Sequence, residues 1–96
     1  MRRSNVQNIN ELVSALLKEL GIEHKMQEAR VINSWEETLG GNIARATNKL
    51  FIKNRILFVY LKSSIVRNEL MMLKTGIIKR LNDKAGAVVI DDIVFR

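Results

Sequence analysis

The stretch LFIKNRILFVYLKSS, residues 50–64, decides the fold of this 96-residue chain. Apolar residues follow a period of two along residues 50–53 and 56–61, which is typical of β-strands. Asn54 and Arg55 separate the two runs and predict a hairpin. Asparagine suits the first position of a two-residue turn, but arginine suits the second position poorly, which favours a longer loop.

The second strand of this hairpin has two different faces, because successive side chains point to opposite sides of a sheet. One face carries Leu57, Val59 and Leu61, and the other carries Ile56, Phe58 and Tyr60. Only one face packs on helices in a two-layer domain, and we expect the leucine and valine face to form the core. Phe58 and Tyr60 would then point outward among basic residues. There they can stack on unpaired bases or, equally well, pack against a partner protein or a terminal segment.

Residues 8–20 predict an amphipathic helix. Its apolar residues fall on one helical face: Ile9, Leu12, Val13, Leu16, Leu17 and Leu20. Asn8 can cap the helix, with Glu11 three residues later as in a capping box. Gly21 can adopt the left-handed conformation that ends a helix.

A second helix is predicted over about residues 23–38. Its apolar stripe is Met26, Ala29, Ile32, Trp35 and Leu39. Gly40 lies where a terminating glycine is expected, and Gly41 allows a sharp exit. Asn42 can cap one further helical turn. Trp35, Leu39 and Gly40 are therefore interpreted as structural landmarks, with Trp35 in the core.

Ser63 or Ser64 can cap the longest helix, predicted over about residues 65–83. Its stripe is Val66, Leu70, Leu73, Ile77 and Leu81. Gly86 follows, and residues 88–95 predict a last strand. The order α-α-β-β-α-β indicates an α+β domain with helices on one face of a three-stranded sheet. We expect a single domain over residues 1–96, with residues 1–7 flexible.

The net charge of +6 is concentrated in the middle of the chain. Residues 40–84 contain ten basic and two acidic side chains. This distribution favours an anionic partner such as nucleic acid, although solubility alone explains it equally well. The chain has no cysteine, which fits a reducing cytoplasm. No apolar run approaches the roughly 20 residues that span a bilayer, so we expect a cytoplasmic protein without membrane contact.

Residues for catalysis are few. His24 has no neighbouring histidine or cysteine, which disfavours a metal site. Glu36-Glu37 and Asp91-Asp92 are adjacent in sequence, so their side chains diverge instead of forming an acid/base pair. Gly40-Gly41 follows a helix and matches no phosphate-binding loop. The sequence therefore predicts neither an enzyme nor a cofactor.

Three groups of residues together resemble the DciA-like family of small bacterial proteins, formerly known only as a domain of unknown function. The first is Trp35-x3-Leu39-Gly40-x2-Ile43-Ala44 with Thr47. The second is Leu57-x-Val59-x-Leu61-x-Ser63-Ser64 with Glu69-Leu70. The third is Ile78 with Leu81-Asn82, before a glycine and a final strand. Their order and spacing cover nearly the whole chain.

The resemblance implies a KH-like fold without the Gly-x-x-Gly loop. It also implies a role in bacterial replication, handling or loading a replicative helicase of the DnaB type and touching DNA. Members known for loading often carry a tail beyond this domain, whereas this sequence stops at Phe95-Arg96. The resemblance therefore implies helicase binding more directly than loading.

We accordingly expect a non-enzymatic adaptor that binds the helicase and, weakly, single-stranded or structured DNA. The rival hypothesis is a stand-alone module for RNA or single-stranded nucleic acid, as basic KH-like domains often are. The residues expected to make contact are Lys49, Lys53, Arg55, Phe58, Tyr60, Lys62, Arg67 and Lys74.

Overall fold

The computed structural model describes the backbone of residues 2–96 and the side chains of residues 9–16 and 18–96. The N-terminal elements are α1 (Arg2–Leu20), α2 (Ile22–Asn33), α3 (Trp35–Leu39) and α4 (Gly41–Arg45). They are followed by β1 (Thr47–Lys53), β2 (Ile56–Leu61), α5 (Ser64–Met72), α6 (Lys74–Ala85) and β3 (Asp92–Phe95). The predicted α+β class and element order are confirmed.

The sheet has the order β1-β2-β3, so β2 is the central strand. The pair β1 and β2 is antiparallel, with Phe51 opposite Phe58 and Leu50 opposite Val59. The pair β2 and β3 is parallel. Helices cover one face of this sheet, where Leu57, Val59 and Ile93 are buried. The leucine and valine face of β2 is therefore the core face, as predicted.

The hairpin turn contains only Asn54 and Arg55, so the longer loop favoured by the sequence is wrong. Both residues have left-handed backbones, with φ of 52° and 65°. This conformation costs a side-chain-bearing residue about 1–2 kcal/mol. Contacts across the fold hold Arg55 there, because its guanidinium donates to both Asp91 carboxylate oxygens at 2.7 and 2.8 Å. It also donates to the Val88 carbonyl oxygen at 3.0 Å.

The first helix begins at Arg2, earlier than the predicted residue 8. The predicted cap Asn8 and the predicted stripe residue Leu17 have side chains outside the described set. Gly21 ends the helix with φ of 74°, as expected. The other apolar residues of the predicted α1 stripe are exposed.

The predicted second helix is divided at Ser34 into α2 and α3. The division rotates the buried side of α2, so Val31 is buried while Met26 and Ala29 are exposed. Trp35 is buried, as predicted. The capping role predicted for Asn42 is wrong, because Asn42 lies inside α4 and Gly40 precedes that helix.

The predicted third helix also has a break, at Leu73. Leu73 turns outward and is 60% exposed, whereas Leu70, Ile77 and Leu81 are buried. Ser63 caps α5 by accepting the Val66 N–H at 3.3 Å. Gly86 ends α6 with φ of 77°. The prediction of one continuous helix, the longest of the chain, and the place of Leu73 in its stripe are therefore wrong.

The last strand is Asp92–Phe95, shorter than the strand predicted over residues 88–95. The segment before it is hydrogen-bonded to the Asn82 side chain instead. The Asn82 side-chain amide donates to the Ile90 carbonyl oxygen at 2.9 Å. Its carbonyl oxygen accepts the Val89 and Ile90 N–H groups at 2.9 and 3.0 Å. These backbone groups therefore bond to a helix side chain instead of a neighbouring strand. Within residues 2–96, no helix is long and apolar enough to cross a membrane.

Candidate nucleic-acid interface

The sheet face opposite the helices carries a cluster of aromatic rings and one lysine. We call this cluster the aromatic face: Lys49, Phe51, Phe58 and Tyr60. The strand register places Phe51 opposite Phe58 and Lys49 opposite Tyr60. All three rings are half-buried, and Lys49 is exposed. The structure therefore brings three of the predicted contact residues together and adds Phe51 to them.

The three rings form one stacked row across the two strands. The centroids of Phe51 and Phe58 are 4.9 Å apart, with planes 12° from parallel. Phe51 and Tyr60 are 6.1 Å apart at 23°. Each such pair contributes about 0.5–1.5 kcal/mol beyond its burial. The row is thus held in place by its own contacts while its outer side remains open.

The ammonium group of Lys49 lies against these rings. Its Nζ is 5.1 Å from the centroid of Phe51 and 5.9 Å from that of Tyr60. Both distances are within the range of cation–π attraction. A positive charge is therefore fixed beside flat apolar surface, the combination that suits a phosphate next to an unpaired base.

Arg96 was missed by the sequence interpretation and continues this surface. Its backbone N–H donates to the Val59 carbonyl oxygen at 2.8 Å, and its backbone carbonyl oxygen accepts the Leu61 N–H at 2.9 Å. These two bonds place Arg96 beside Tyr60 in the parallel register, on the same face by alternation. The arginine is exposed. The alternation of side chains along the last strand could have placed Arg96 on this face, and the β2–β3 register sets it beside Tyr60.

Three other predicted contact residues lie outside the aromatic face. Lys53 is exposed at the end of β1, opposite Ile56. Lys62 follows β2 directly, and its side chain is exposed. Its backbone N–H donates to the Ala46 carbonyl oxygen at 2.8 Å. Arg67 is half-buried on α5, the helix that follows β2.

The remaining two predicted contact residues are engaged in ion pairs next to β3. Arg55 Nε is 2.7 Å from Asp91 Oδ2, and Lys74 Nζ is 3.2 Å from Asp92 Oδ1. The hydrogen bond from Arg55 lowers the pKa of Asp91 and raises the pKa of Arg55. The pKa of Asp92 is lowered first by the Ile93 N–H and then by Lys74. Both cations therefore fasten the chain around the start of β3.

The structural landmarks fix the start of β1. Trp35 is 3% exposed, and its indole N–H donates to Thr47 Oγ1 at 3.1 Å. The Thr47 hydroxyl donates to the Ile43 carbonyl oxygen at 2.8 Å. Gly40 has φ of 93° and ψ of 162°, a region that only glycine adopts readily. Leu39, half-buried, packs against the core. The helix stop predicted at Gly40 is confirmed.

The sole histidine lies away from the aromatic face. His24 is exposed on α2, with Nε2 3.1 Å from Glu28 Oε2. Among the residues with described positions, no group of three or more histidine, cysteine or acidic side chains could hold a metal ion.

The family model described as "Dna[CI] antecedent, DciA" matches residues 8–95. The matched segment contains the Trp35 landmark, the hairpin with its aromatic face, and Asn82. No curated protein gives a significant match to the chain.

Proposed function

The chain belongs to the DciA family, and on this premise we propose that it is a non-enzymatic adaptor that binds a DnaB-type replicative helicase and, weakly, DNA. The family implies a helicase-loader role in DNA replication. We propose further that residues 1–96 form one KH-like domain and that the protein works in the cytoplasm.

The aromatic face is the observation that carries the DNA-binding part of this proposal. Large aromatic rings are normally buried in protein cores. Here three rings stack in a row on the sheet face that the helices leave open. Unpaired bases offer flat apolar surfaces that continue such a row, and each stacked base contributes about 1–3 kcal/mol. Lys49, Lys53 and Arg96 supply positive charge along the same face.

The expected affinity is electrostatic and tolerant of sequence. The ten basic side chains of residues 40–84 attract phosphate, while stacking selects no particular base. Lys62 and Arg67 would contact the backbone of a strand that runs past β2 and α5. Binding of single-stranded DNA should therefore weaken steeply with salt and change little between mixed sequences.

The proposal is tested by offering the purified protein a purified DnaB-type helicase and labelled single-stranded DNA separately. An adaptor should capture the helicase without DNA and should bind the strand with a steep salt dependence. Salt-independent, sequence-selective DNA binding would contradict the electrostatic part. Failure to capture the helicase would contradict the adaptor.

A stand-alone module for RNA or single-stranded nucleic acid is the second candidate, and the same row of rings favours it. Rings on an open sheet face suit single-stranded RNA as well as DNA. The two functions differ in what co-purifies with the protein from cells. RNA without helicase would favour the module, and helicase would favour the adaptor.

A further inference from the structure

The two N-terminal helices expose aliphatic side chains that their spacing would place in a core. We call this set the α1–α2 face: Ile9, Leu12, Val13, Leu16 and Leu20 of α1, with Ile22 and Met26 of α2. Each of the seven is between 40% and 68% exposed. Two consecutive amphipathic helices thus lack a partner for their apolar sides within the described chain.

The α1 part of this face has the spacing of a helix-packing surface. Ile9, Val13, Leu16 and Leu20 are separated by four, three and four residues, so they follow one line along the helix. Glu11 and Lys18 lie on the opposite side of the helix. The helix α1 packs against α2, and α2 packs against α6 and β1. The molecule is 59 Å long but only 23 and 20 Å across.

The exposed area is sufficient for an interface between two copies. Seven aliphatic side chains at these exposures offer on the order of 600 Å² per copy, at the upper end for a monomer's largest apolar patch. Two such surfaces together reach roughly 1,200 Å², the lower limit of a specific, stable interface. A small ligand would leave most of this surface in water.

The charge distribution favours a second copy over an anionic partner. Residues 9–33 contain four acidic and three basic side chains. Two copies can therefore meet there without the repulsion that the basic residues 40–84 would create. Nucleic acid would instead be attracted to that basic half and away from the α1–α2 face.

We propose that the α1–α2 face is a dimer interface in which the α1 helices of two copies pack antiparallel to each other. An interface with two-fold symmetry must be complementary to itself. The α1 pattern meets this condition, because its residues are placed symmetrically about the midpoint between Ser14 and Ala15. An antiparallel copy puts Ile9 opposite the second copy's Leu20, and Val13 opposite its Leu16. This proposal does not rest on helicase or DNA binding.

The first test measures the mass of the full chain by sedimentation over a wide concentration range. The wild type should shift from 11.0 kDa toward twice that mass. Val13→Gln with Leu16→Gln should remain monomeric with an unchanged circular dichroism spectrum, because both side chains are already exposed in the single chain. Met72→Gln is the control, since Met72 is 81% exposed on α5 outside this face. A monomeric wild type, or a double variant that still dimerises, would overturn the proposal.

The second test uses cysteine cross-linking. The chain has no cysteine of its own, so every cross-link must form through the introduced residues. In the antiparallel arrangement, position 9 of one copy lies about 16 Å along the helix from position 9 of the other. Ile9→Cys alone and Leu20→Cys alone should therefore cross-link poorly, whereas a mixture of the two should cross-link efficiently. Efficient cross-linking of Ile9→Cys to itself would show a parallel pairing and overturn the proposed geometry.

Discussion

Trp35 and the aromatic face hold four of the five aromatic side chains of this protein, and their surroundings are opposite. Trp35 is 3% exposed, and its only polar atom bonds to Thr47 within the chain. Phe51, Phe58 and Tyr60 contact one another and a lysine, and they keep an open side. The first region satisfies its contacts internally, and the second has capacity left for a partner.

This difference teaches which changes should affect stability and which should affect binding. Removing a buried ring leaves a cavity that the fold must tolerate. Removing a ring from an open row mainly reduces the surface offered to a ligand.

Trp35→Ala should lower the free energy of unfolding by about 3–5 kcal/mol, because it empties a buried site. For a domain of this size that is a large part of the total stability. Urea unfolding measures the loss. Trp35→Phe is the control, since it keeps a ring while removing the bond to Thr47, worth about 0.5–1.5 kcal/mol. If Trp35→Ala melts like the wild type but loses partner binding, Trp35 is a contact residue.

Phe58→Ser with Tyr60→Ser should weaken binding of single-stranded DNA by about 1–3 kcal/mol for each base that loses its stacking ring. The melting temperature should fall by roughly 4–24 °C while unfolding remains cooperative, because the two lost ring pairs together contribute about 1–3 kcal/mol and each kcal/mol shifts the melting temperature by about 4–8 °C in a domain of this size. Fluorescence anisotropy and thermal melting measure the two effects. Ile65→Ser with Met72→Ser is the matched control, because both residues are apolar and exposed elsewhere. Unfolding of the aromatic variant would assign these rings to the core.

Gly40→Ala should destabilise the fold by about 1–3 kcal/mol through backbone strain alone. An added Cβ would meet no atom within 4 Å, so steric contact contributes nothing. Gly76→Ala is the control: its site is equally open but lies within helix α6. That substitution should stabilise by about 0.4–1 kcal/mol. Equal effects of the two changes, measured by urea unfolding, would contradict the special role of Gly40.

Lys49→Ala should flatten the salt dependence of single-stranded DNA binding by roughly 0.7 units of logarithmic slope, the effect of one lost phosphate contact. Titrations at several salt concentrations measure this slope. Lys25→Ala is the control. It removes an exposed lysine of α2, which is not one of the strands that carry the aromatic face, and it should leave the slope unchanged. The same slope change in both variants would mean that only total charge matters.

Asp91→Asn should reduce the dependence of stability on acid pH. The pKa of Asp91 is lowered by its hydrogen bond from Arg55, so the pair stabilises the fold fully above the carboxyl's unfolded pKa of about 4. That stability is lost as the pH falls through the lower folded pKa. Thermal melting between about pH 3 and pH 7 should show a shallower acid decline in the variant. Arg55→Gln should show the same shallower decline, because it removes the other partner of the ion pair. If the decline is unchanged in both variants, the Arg55–Asp91 pair is not its cause.

Local sequence patterns predicted much of the fold. The alternation in residues 56–61 identified β2 and its core face, because side-chain direction in a strand depends on parity alone. Helix ends at Gly21, Gly40 and Gly86 were predictable because glycine adopts positive φ without steric cost. The breaks at Ser34 and Leu73 were not predictable, because helical spacing assumes a straight, continuous helix.

The candidate site was predicted in part, because side-chain parity identifies one face of a strand. Lys49, Phe58 and Tyr60 were identified from their strand and their charge. Phe51 was missed because its place in the row depends on a turn of only two residues. Arg55 and Lys74 were expected to contact a ligand, but acidic residues distant in sequence bind both of them.

Residue type and spacing are enough to predict the element order, the core face of the hairpin and the basic middle of the chain. Tertiary structure decided what each exposed or charged side chain meets. The left-handed Arg55 is stabilised by the turn between the paired strands and by the bonds of its guanidinium to Asp91 and the Val88 carbonyl. The aromatic face exists only because the strand register aligns rings from two strands. Both outcomes depend on distances between residues far apart in the chain, which no local pattern encodes.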